Sequence, residues 1–347
     1  MGRPRSRPRT TTRHQTSTSH QTTTRAGGSP CATPTAAYEL GRLGYRCTVL
    51  EASDRAGGRN RTARGGDVLR ELGPTGEPVT THRCSFDDGL YLDLGPGRIP
   101  YHHRRVLDYC RAFGVDLEPY MTKTTANVVH LADGRGVRWR NRQVANDTRG
   151  RLAAMLAGTL EQRDAGAGEL LESGFWRHSF YQPVDYLWQA TMFQPVGGMD
   201  RIVTAFEREL GSEFGEVVEL NSEVTTIRLL DEGKAAVDYR RDGLPRTLVA
   251  DYCVSSIPLP VLRGISTNFS AEFDAAIRAV EFASTCKVGW QAEERFWEGD
   301  ADQIYGGIGW TNHPITQLWY PSNDYFSAAG LQAAPPAREQ RAFLRAG

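Results

Sequence analysis

The chain has 347 residues, enough for two domains or one large α/β unit, with 39% hydrophobic and 24% charged residues. Its formal net charge is zero, which offers no basic field to nucleic acid or to an anionic membrane. No run of 18 apolar residues is present to span a bilayer, and the six cysteines (31, 47, 84, 110, 253 and 286) form no C-x-x-C pair, so neither a metal site nor a redox pair is expected.

Residues 1–34 carry Arg3, Arg5, Arg7, Arg9, Arg13 and Arg25, no acid, and mostly Thr and Ser elsewhere. Such a segment buries too little apolar surface to order itself, so it is expected to be a disordered basic tail. It has no apolar h-region, so it is not a secretory signal, and a cytoplasmic protein is expected; its prolines break any amphipathic transit helix.

From Thr35 the pattern changes. "TAAYELGRLGYRCTVLEASDRAGGRN" (35–60) reads as the second half of a dinucleotide-binding βαβ unit. An amphipathic helix carries Ala36, Leu40 and Leu43 and stops at Gly44; a strand runs from Arg46 to Leu50 and closes on Glu51. "YLDLGPGRIP" (91–100) is a short strand entering a Gly/Pro loop, and "HRRVLDYCRAFGV" is a helix stopped by Gly114. "NVVHLADGRGVRWR" is a hairpin turning at Asp133-Gly134. Residues 148–190 read mostly as helix, and "GGMDRIVTAFEREL" (197–210) as a loop feeding a helix. "EVVELNSEVTTIRLLDEGKAAVDYRRDG" and "RTLVADYCVSSIP" read as strands with turns at Asn221, Glu232-Gly233 and Asp242-Gly243, and three aromatic-rich strands follow, "CKVGWQAEERFWEG", "QIYGGIGWTN" and "TQLWYPSND".

The chemistry starts at Glu51. A carboxylate at the end of the second parallel strand accepts hydrogen bonds from ribose hydroxyls. Alone it is equally a solvated loop residue, but "DRAGGR" follows at once. Gly57-Gly58 lets the backbone approach a pyrophosphate, and Arg55 and Arg59 supply bidentate donors.

With those residues in view the chain resembles the flavin-dependent amine oxidases, L-amino-acid oxidases above all. "AAYELGRLGYRCTVLEASDRAGGRNRT" is similar to that family's FAD-binding opening, "DLGPGRIPYHHRRVLDYCRAFGVDLEPY" to the loop and helix of the substrate arginine, and "PVGGMDRIVTAF" to its central flavin-domain motif. "EVVELNSEVTTI", which contains Val224, resembles the segment whose backbone meets the adenine. "ADYCVSSIPLPVL" and "STCKVGWQAEERFWE" resemble the return into the substrate domain, and "GGIGWTNHPITQLWYPSND" its aromatic sheet.

The resemblance implies a two-domain α/β (α+β) fold. An FAD-binding Rossmann-like domain (35–100 and 195–260) is interleaved with a mixed-sheet and helical substrate domain (101–194 and 261–330). It implies FAD as cofactor, an amine or amino-acid substrate, and oxygen as the final acceptor. Gly28, Glu51, Ala52, Arg55, Gly57, Gly58, Arg59, Gly95, Pro96 and Val224 fall at cofactor-binding positions. Arg98, in the rigid turn Gly95-Pro96-Gly97-Arg98, falls where the substrate carboxylate is held; without the resemblance it is equally an exposed loop arginine. Lys287, between Cys286 and Val288, falls where a lysine holds a water against the flavin N5; the other reading is a lysine that snorkels from an edge strand. Trp290, Trp310, Trp319 and Tyr320 are candidate pocket walls, with Trp310 and Tyr320 assigned to the substrate. His102 and His103 open a helix and are expected to face solvent or the loop.

Both ends depart from the family. Gly28 takes the first glycine position of the phosphate turn, Pro30 and Thr33 the next two, and Pro30 brings no N–H. Residues 19–27 contain no Val, Ile, Leu or Phe, so the first parallel strand is expected to be missing. Beyond residue 330 the pattern is lost, and 331–347 is expected to form at most a loosely docked helix. The sequence therefore reads as an oxidase truncated or frame-shifted at both ends and impaired in binding FAD. A non-catalytic remnant, and a desaturase-like flavoenzyme of the same fold group, are the alternatives.

Overall fold

The computed structural model describes residues 21–26, 32–72, 78–131, 137–144, 146, 147, 150, 191–282, 287–311, 313, 315–327 and 330–334. It is a mixed α/β fold of several sheets.

The first parallel strand is present, against the expectation from composition. Gln21–Ala26 lies inside a four-stranded parallel sheet ordered Val218–Glu219, Arg46–Glu51, Gln21–Ala26, Tyr252–Ser255. It pairs along its length with Arg46–Glu51, from Gln21↔Arg46 to Ala26↔Glu51, and over four residues with Tyr252–Ser255. The reason is physical. An apolar run reports side-chain burial, whereas a strand with a ladder on each side is held by its backbone, and the three consecutive threonines are β-branched and suit a pleated chain. The tail expected to be disordered is thus ordered at 21–26; residues 1–20 lie outside the described residues.

Helix Ala32–Arg42 starts earlier than its apolar pattern and carries Pro34 in its first turn, where no intrahelical N–H is needed. Its buried face is Thr33, Pro34, Ala37 and Tyr38; Leu43, expected on that face, is 75% exposed. Tyr38 makes edge-on ring contacts with Tyr109, Phe113, Phe206 and Phe214. Those rings join this helix to Arg104–Ala112 and Arg201–Phe214, and with Val49, Ile202 and Leu210 they form the core under the parallel sheet. Full burial of one such side chain contributes about 1.5–3 kcal/mol.

A four-stranded sheet ordered Leu244–Ala250, Ala235–Arg241, Ser222–Leu229, Ser266–Thr267 turns where the sequence indicates: Asn221, Gly233, Asp242 and Gly243 all have positive φ. Its inner face packs Val224, Ile227 and Val237 against Leu50 of the parallel sheet.

The aromatic-rich strands form one six-stranded sheet, ordered Val137–Arg140, Val128–Leu131, Gly307–Thr311, Gln317–Tyr320, Gly330–Ala334, Val288–Ala292. Here too an expectation fails. Residues 330–334 are a strand, not a docked helix, because the slot between Gln317–Tyr320 and Val288–Ala292 gives their backbone partners on both sides. The Asp133-Gly134 turn, the 148–190 block read as helix apart from residue 150, and residues 335–347 lie outside the described residues. A small three-stranded sheet, Ile99–Pro100, Met192–Pro195, Leu117–Tyr120, closes the fold beside the site.

Thr24 faces Val49 on one side and Val254 on the other. Thr24→Pro removes a ladder donor in a strand paired on both edges, so chemical denaturation should show a loss of about 1–3 kcal/mol. An unchanged midpoint would place 21–26 outside the sheet.

Candidate active site

Glu51 ends the second parallel strand with 1% of its surface exposed. Its Oε1 accepts from Ser53 N (2.9 Å) and Ser53 Oγ (2.6 Å), which fixes the carboxylate at the strand's C-terminal edge. Ala52 follows on the exposed side of the turn. Arg55 folds back over its own loop, donating to Ala56 O (3.0 Å) and Gly58 O (2.7 Å). Burial, then Arg61 nearby, lowers its pKa. Gly57 and Gly58 have φ of 97° and 48°. A Cβ on Gly57 would come within 2.8 Å of Val203 Cγ2, so the glycine is required by both conformation and space. Arg59 is exposed at the loop's outer side. A Cβ on Gly95 would lie 1.9 Å from Arg59 O, so the 57–60 and 94–98 loops touch backbone to backbone. Val224 is 3% exposed, in the core with Leu50. Thr33 is buried and its hydroxyl hydrogen-bonds that of Ser256. Gly28 and Pro30 lie outside the described residues.

A network that no sequence motif announces joins these loops. Asp93 Oδ1 accepts from Thr62 Oγ1 (2.6 Å) and from Met199 N (2.9 Å), and Thr62 Oγ1 in turn accepts from Asp200 N (3.1 Å). Arg64 grips Asp200 with two bonds of 2.8 Å and donates to Gly197 O at 2.6 Å. Gly198 has φ 109°, and a Cβ there would meet Thr62 Cγ2 at 2.5 Å. The Gly197-Gly198 pair therefore lets the start of helix Arg201–Phe214 dock on the Thr62–Arg64 strand. Burial raises the Asp93 pKa above its ordinary value, against the bonds from Thr62 and Met199, which lower it.

Two open clefts meet behind this network. One is lined among others by Tyr91, Asp93, Tyr120, Gln194, Tyr320 and Asp324. The other is lined by residues that include Gly95, Pro96, Arg98, His102, His103 and Met192. Gly97, Lys287 and Trp319 belong to both. Lys287 Nζ donates to Asp93 O (2.9 Å) and Gly95 O (2.6 Å) and sits 5.2 Å over the Trp319 ring. Arg98 lies over the same ring at 4.9 Å. Burial, with Arg98 adding and Asp93 opposing, lowers the Lys287 pKa. Lys287 immediately precedes the Val288–Ala292 strand rather than lying within one, and Cys286 lies outside the described residues.

Arg98, Lys287, Trp319 and Tyr320 are thus brought together, Tyr320 at 7% exposure. Trp310 is not: it is 47% exposed, pairs with Val129 and Gln317, and lines neither cleft. Trp290 also lines neither cleft. His103 is exposed, whereas His102 is half-buried with its Nδ1 enclosed. At Gly97 a Cβ would stand 3.9 Å from Trp319 and 4.0 Å from Lys287 Nζ, which is ordinary contact, so a larger residue fits. Among the described residues no cluster of three or more His, Cys, Asp or Glu could hold a metal, and no helix is long and apolar enough to cross a membrane.

The model of the flavin-containing amine oxidoreductase family matches residues 35–192 and 184–330. The chain belongs to that family. The chain is similar to the L-amino-acid oxidase of Protobothrops flavoviridis, 26% identical over 371 residues covering 90% of this chain and 67% of that protein. It is also similar to the L-amino-acid oxidase of Vipera ammodytes ammodytes, 25% identical over 370 residues covering 90% and 70%. The chain spans about two thirds of the length of these relatives. Its fold is similar to that of putrescine oxidase, in a double mutant (TM-score 0.63) and in the wild type bound to putrescine (TM-score 0.62); each is 16% identical and covers 92% of this chain and 76% of that one. The family is flavin-containing, and the residues present fit a dinucleotide: a fixed acid ends the second parallel strand, and beside it is a Gly-Gly turn whose positive φ angles and missing Cβ atoms bring bare backbone close to that strand end.

The raised Asp93 pKa has a checkable consequence. The folded state holds this proton more tightly than the unfolded chain, so stability falls as pH rises from the ordinary value near 3.8 through the folded value. Asp93→Asn keeps an acceptor for Thr62 and Met199 but has no such titration. The stability of the parent relative to Asp93→Asn should therefore decline across that window and level off above it, in denaturation midpoints taken from about pH 3.5 to 7. A difference independent of pH would contradict the buried-carboxylate assignment.

Proposed function

We propose that this protein is an FAD-dependent oxidase of an amine with an adjacent carboxylate, an L-amino-acid oxidase in type. The observation that carries the reading is the meeting of Arg98, Lys287 and Trp319 at the junction of two clefts, beside the Gly95 loop that packs on the Gly57–Asn60 turn. Similarity to L-amino-acid oxidases supports it.

In this reading the division is two-fold: residues 35–100 and 195–260 hold the cofactor, and 101–194 and 261–330 the substrate. Glu51 accepts from the ribose hydroxyls, while Ala52, Gly57, Gly58 and Gly28 present backbone, and Arg55 and Arg59 charge, to the pyrophosphate. The Val224 backbone would meet the adenine, and Gly95-Pro96 would help to hold the flavin. When bound, FAD supplies the two-electron acceptor for the amine-bearing carbon and passes the electrons to oxygen as peroxide. The rest of the work is positional. Arg98 holds the substrate carboxylate with a planar guanidinium positioned against the Trp319 ring, which orients the Cα–H. Lys287, its charged form weakened by burial, ties the arginine loop in place and offers a proton donor or a water site at the cleft junction. Tyr320 walls the pocket and excludes water.

The phosphate turn is the weak point. Pro30 stands where a backbone N–H to phosphate is wanted, and one such charge-assisted bond is worth about 1.5–3 kcal/mol. With FAD added, the chain should turn yellow and release peroxide from amino acids; Pro30→Gly should tighten FAD at least about tenfold, read by flavin fluorescence quenching. Arg98→Ala should raise KM for amino acids by about ten- to a hundredfold while leaving FAD affinity unchanged. Stoichiometric flavin with no peroxide from any amino acid or amine would leave the non-catalytic remnant as the better reading.

A further inference from the structure

Of the two glycines in the arginine turn, Gly95 is required by the fold and Gly97 is not. A Cβ on Gly95 would overlap the Arg59 carbonyl. Gly97 lies outside the left-handed region, and a Cβ there would meet nothing closer than Trp319 at 3.9 Å and Lys287 Nζ at 4.0 Å. Conformation and space both allow a side chain at position 97, and glycine there gives up backbone entropy on folding that alanine would not. What the missing side chain leaves is a gap between the indole and the ammonium.

That gap is where the two clefts join, since Gly97, Lys287 and Trp319 wall both. Beyond them the clefts differ. Arg98 walls one cleft only, together with His102 and His103, and no carboxylate lines it. The other runs past Tyr91, Tyr120 and Tyr320. Its charged groups already have partners. Arg295 donates to Glu298 Oε1 at 2.7 Å, Asp324 accepts from Asn323 Nδ2 at 2.8 Å, and Asp93 accepts from Thr62 Oγ1 at 2.6 Å. A carboxylate on Arg98 is drawn into the first cleft. A substituent on the neighbouring carbon that is too large for the junction has the second cleft to enter, and the way leads across position 97.

We propose that Gly97 is a specificity-determining residue of this site: its missing side chain keeps the two clefts connected, so a substrate held by its carboxylate at Arg98 extends a bulky side chain between Trp319 and Lys287 into the cleft of Tyr91 and Tyr120. The proposal rests on the oxidase reading above and adds a limit on substrate size, set at one main-chain position. A Cβ at 97 narrows the passage without displacing either wall. A longer side chain lies in the junction itself, because its next atoms have the space between ring and ammonium to occupy. Substrates whose side chain ends at the junction do not use the passage.

The experiment uses the full chain supplemented with FAD and two ligands that lack a Cα–H and so are not oxidised, 2-aminoisobutyrate and α-methyl-L-phenylalanine. They share the carboxylate, the amine and the α-methyl group and differ by a phenyl ring. Binding is read by titration calorimetry for the parent, Gly97→Ala, Gly97→Met and Arg98→Ala, with thermal unfolding of each. The parent should bind the larger ligand about ten- to a hundredfold more tightly, which is what burial of a phenyl ring contributes. Gly97→Met should abolish that preference, weakening the larger ligand at least about tenfold and the smaller by less than about twofold. Gly97→Ala should unfold at or above the parental temperature and lose part of the preference, so the comparison stands even if the methionine variant does not fold. If the glycine variants keep the parental preference, or the parent has none, the Gly97 proposal is overturned, while loss of both ligands in Arg98→Ala sustains the oxidase reading. If Gly97→Met weakens both ligands equally, the residue only shapes the arginine loop and the proposal also fails. If the parent binds neither ligand, the oxidase reading falls, and this proposal with it.

Discussion

The site depends on Asp93 being used twice, once through its side chain and once through its main chain. The carboxylate ties Thr62 to the Met199 amide, and so holds the strand after the Gly57-Gly58 turn against the start of helix Arg201–Phe214. The carbonyl of the same residue takes the Lys287 ammonium, which bonds Gly95 as well. A single residue of a three-residue strand thus sets the spacing between the dinucleotide turn, the arginine loop and the lysine. Such a carboxylate is costly to desolvate, and it persists because short bonds from a hydroxyl and a backbone amide meet it in the interior.

Trp319 plays the complementary part on the apolar side. Its ring lies under both cations, Arg98 at 4.9 Å and Lys287 at 5.2 Å. The electron-rich face tempers the repulsion between two like charges that share a desolvated junction. Its indole Nε1 is anchored separately, donating to Gln317 Oε1 at 2.8 Å, so the ring plane is fixed independently of the cations. Aromatic rigidity and two charges with defined partners make the junction suited to holding an anionic group in one orientation.

Much of the part built on the parallel sheet was legible because its signals are local. The strand before Glu51, the Gly57-Gly58 turn, the stop at Gly114 and the turns at Gly233 and Asp242-Gly243 each follow from a few neighbouring residues, and each is where the pattern puts it. The failures have two causes. Residues 21–26 and 330–334 are strands whose order comes from ladders on both sides, which a search for apolar runs does not register. The Leu43 face of the first helix gave way to Tyr38 because four rings from distant segments surround that position. The site was legible only in part for the same reason. Arg64 and Asp200 are joined by topology, and no local spacing announces such a pair. Trp310 shows the converse, an aromatic residue in an aromatic strand that faces away from the clefts.

The contact between Gly95 and the Arg59 carbonyl bears on how this protein can drift in sequence. Where two loops meet through side chains, a change in one is absorbed by a change of volume in the other. Here they meet through main chain, and neither has atoms to trim. Insertion or deletion in 57–60 or 94–98 would move the arginine relative to the acid at the strand end, whatever side chains accompanied it. Substitution is freer at Gly97, where an added Cβ makes only ordinary contacts. Lineages of this fold are therefore expected to keep the lengths of these two loops even where a letter such as Gly97 changes, a signature that can be sought in any set of related chains without reference to catalysis.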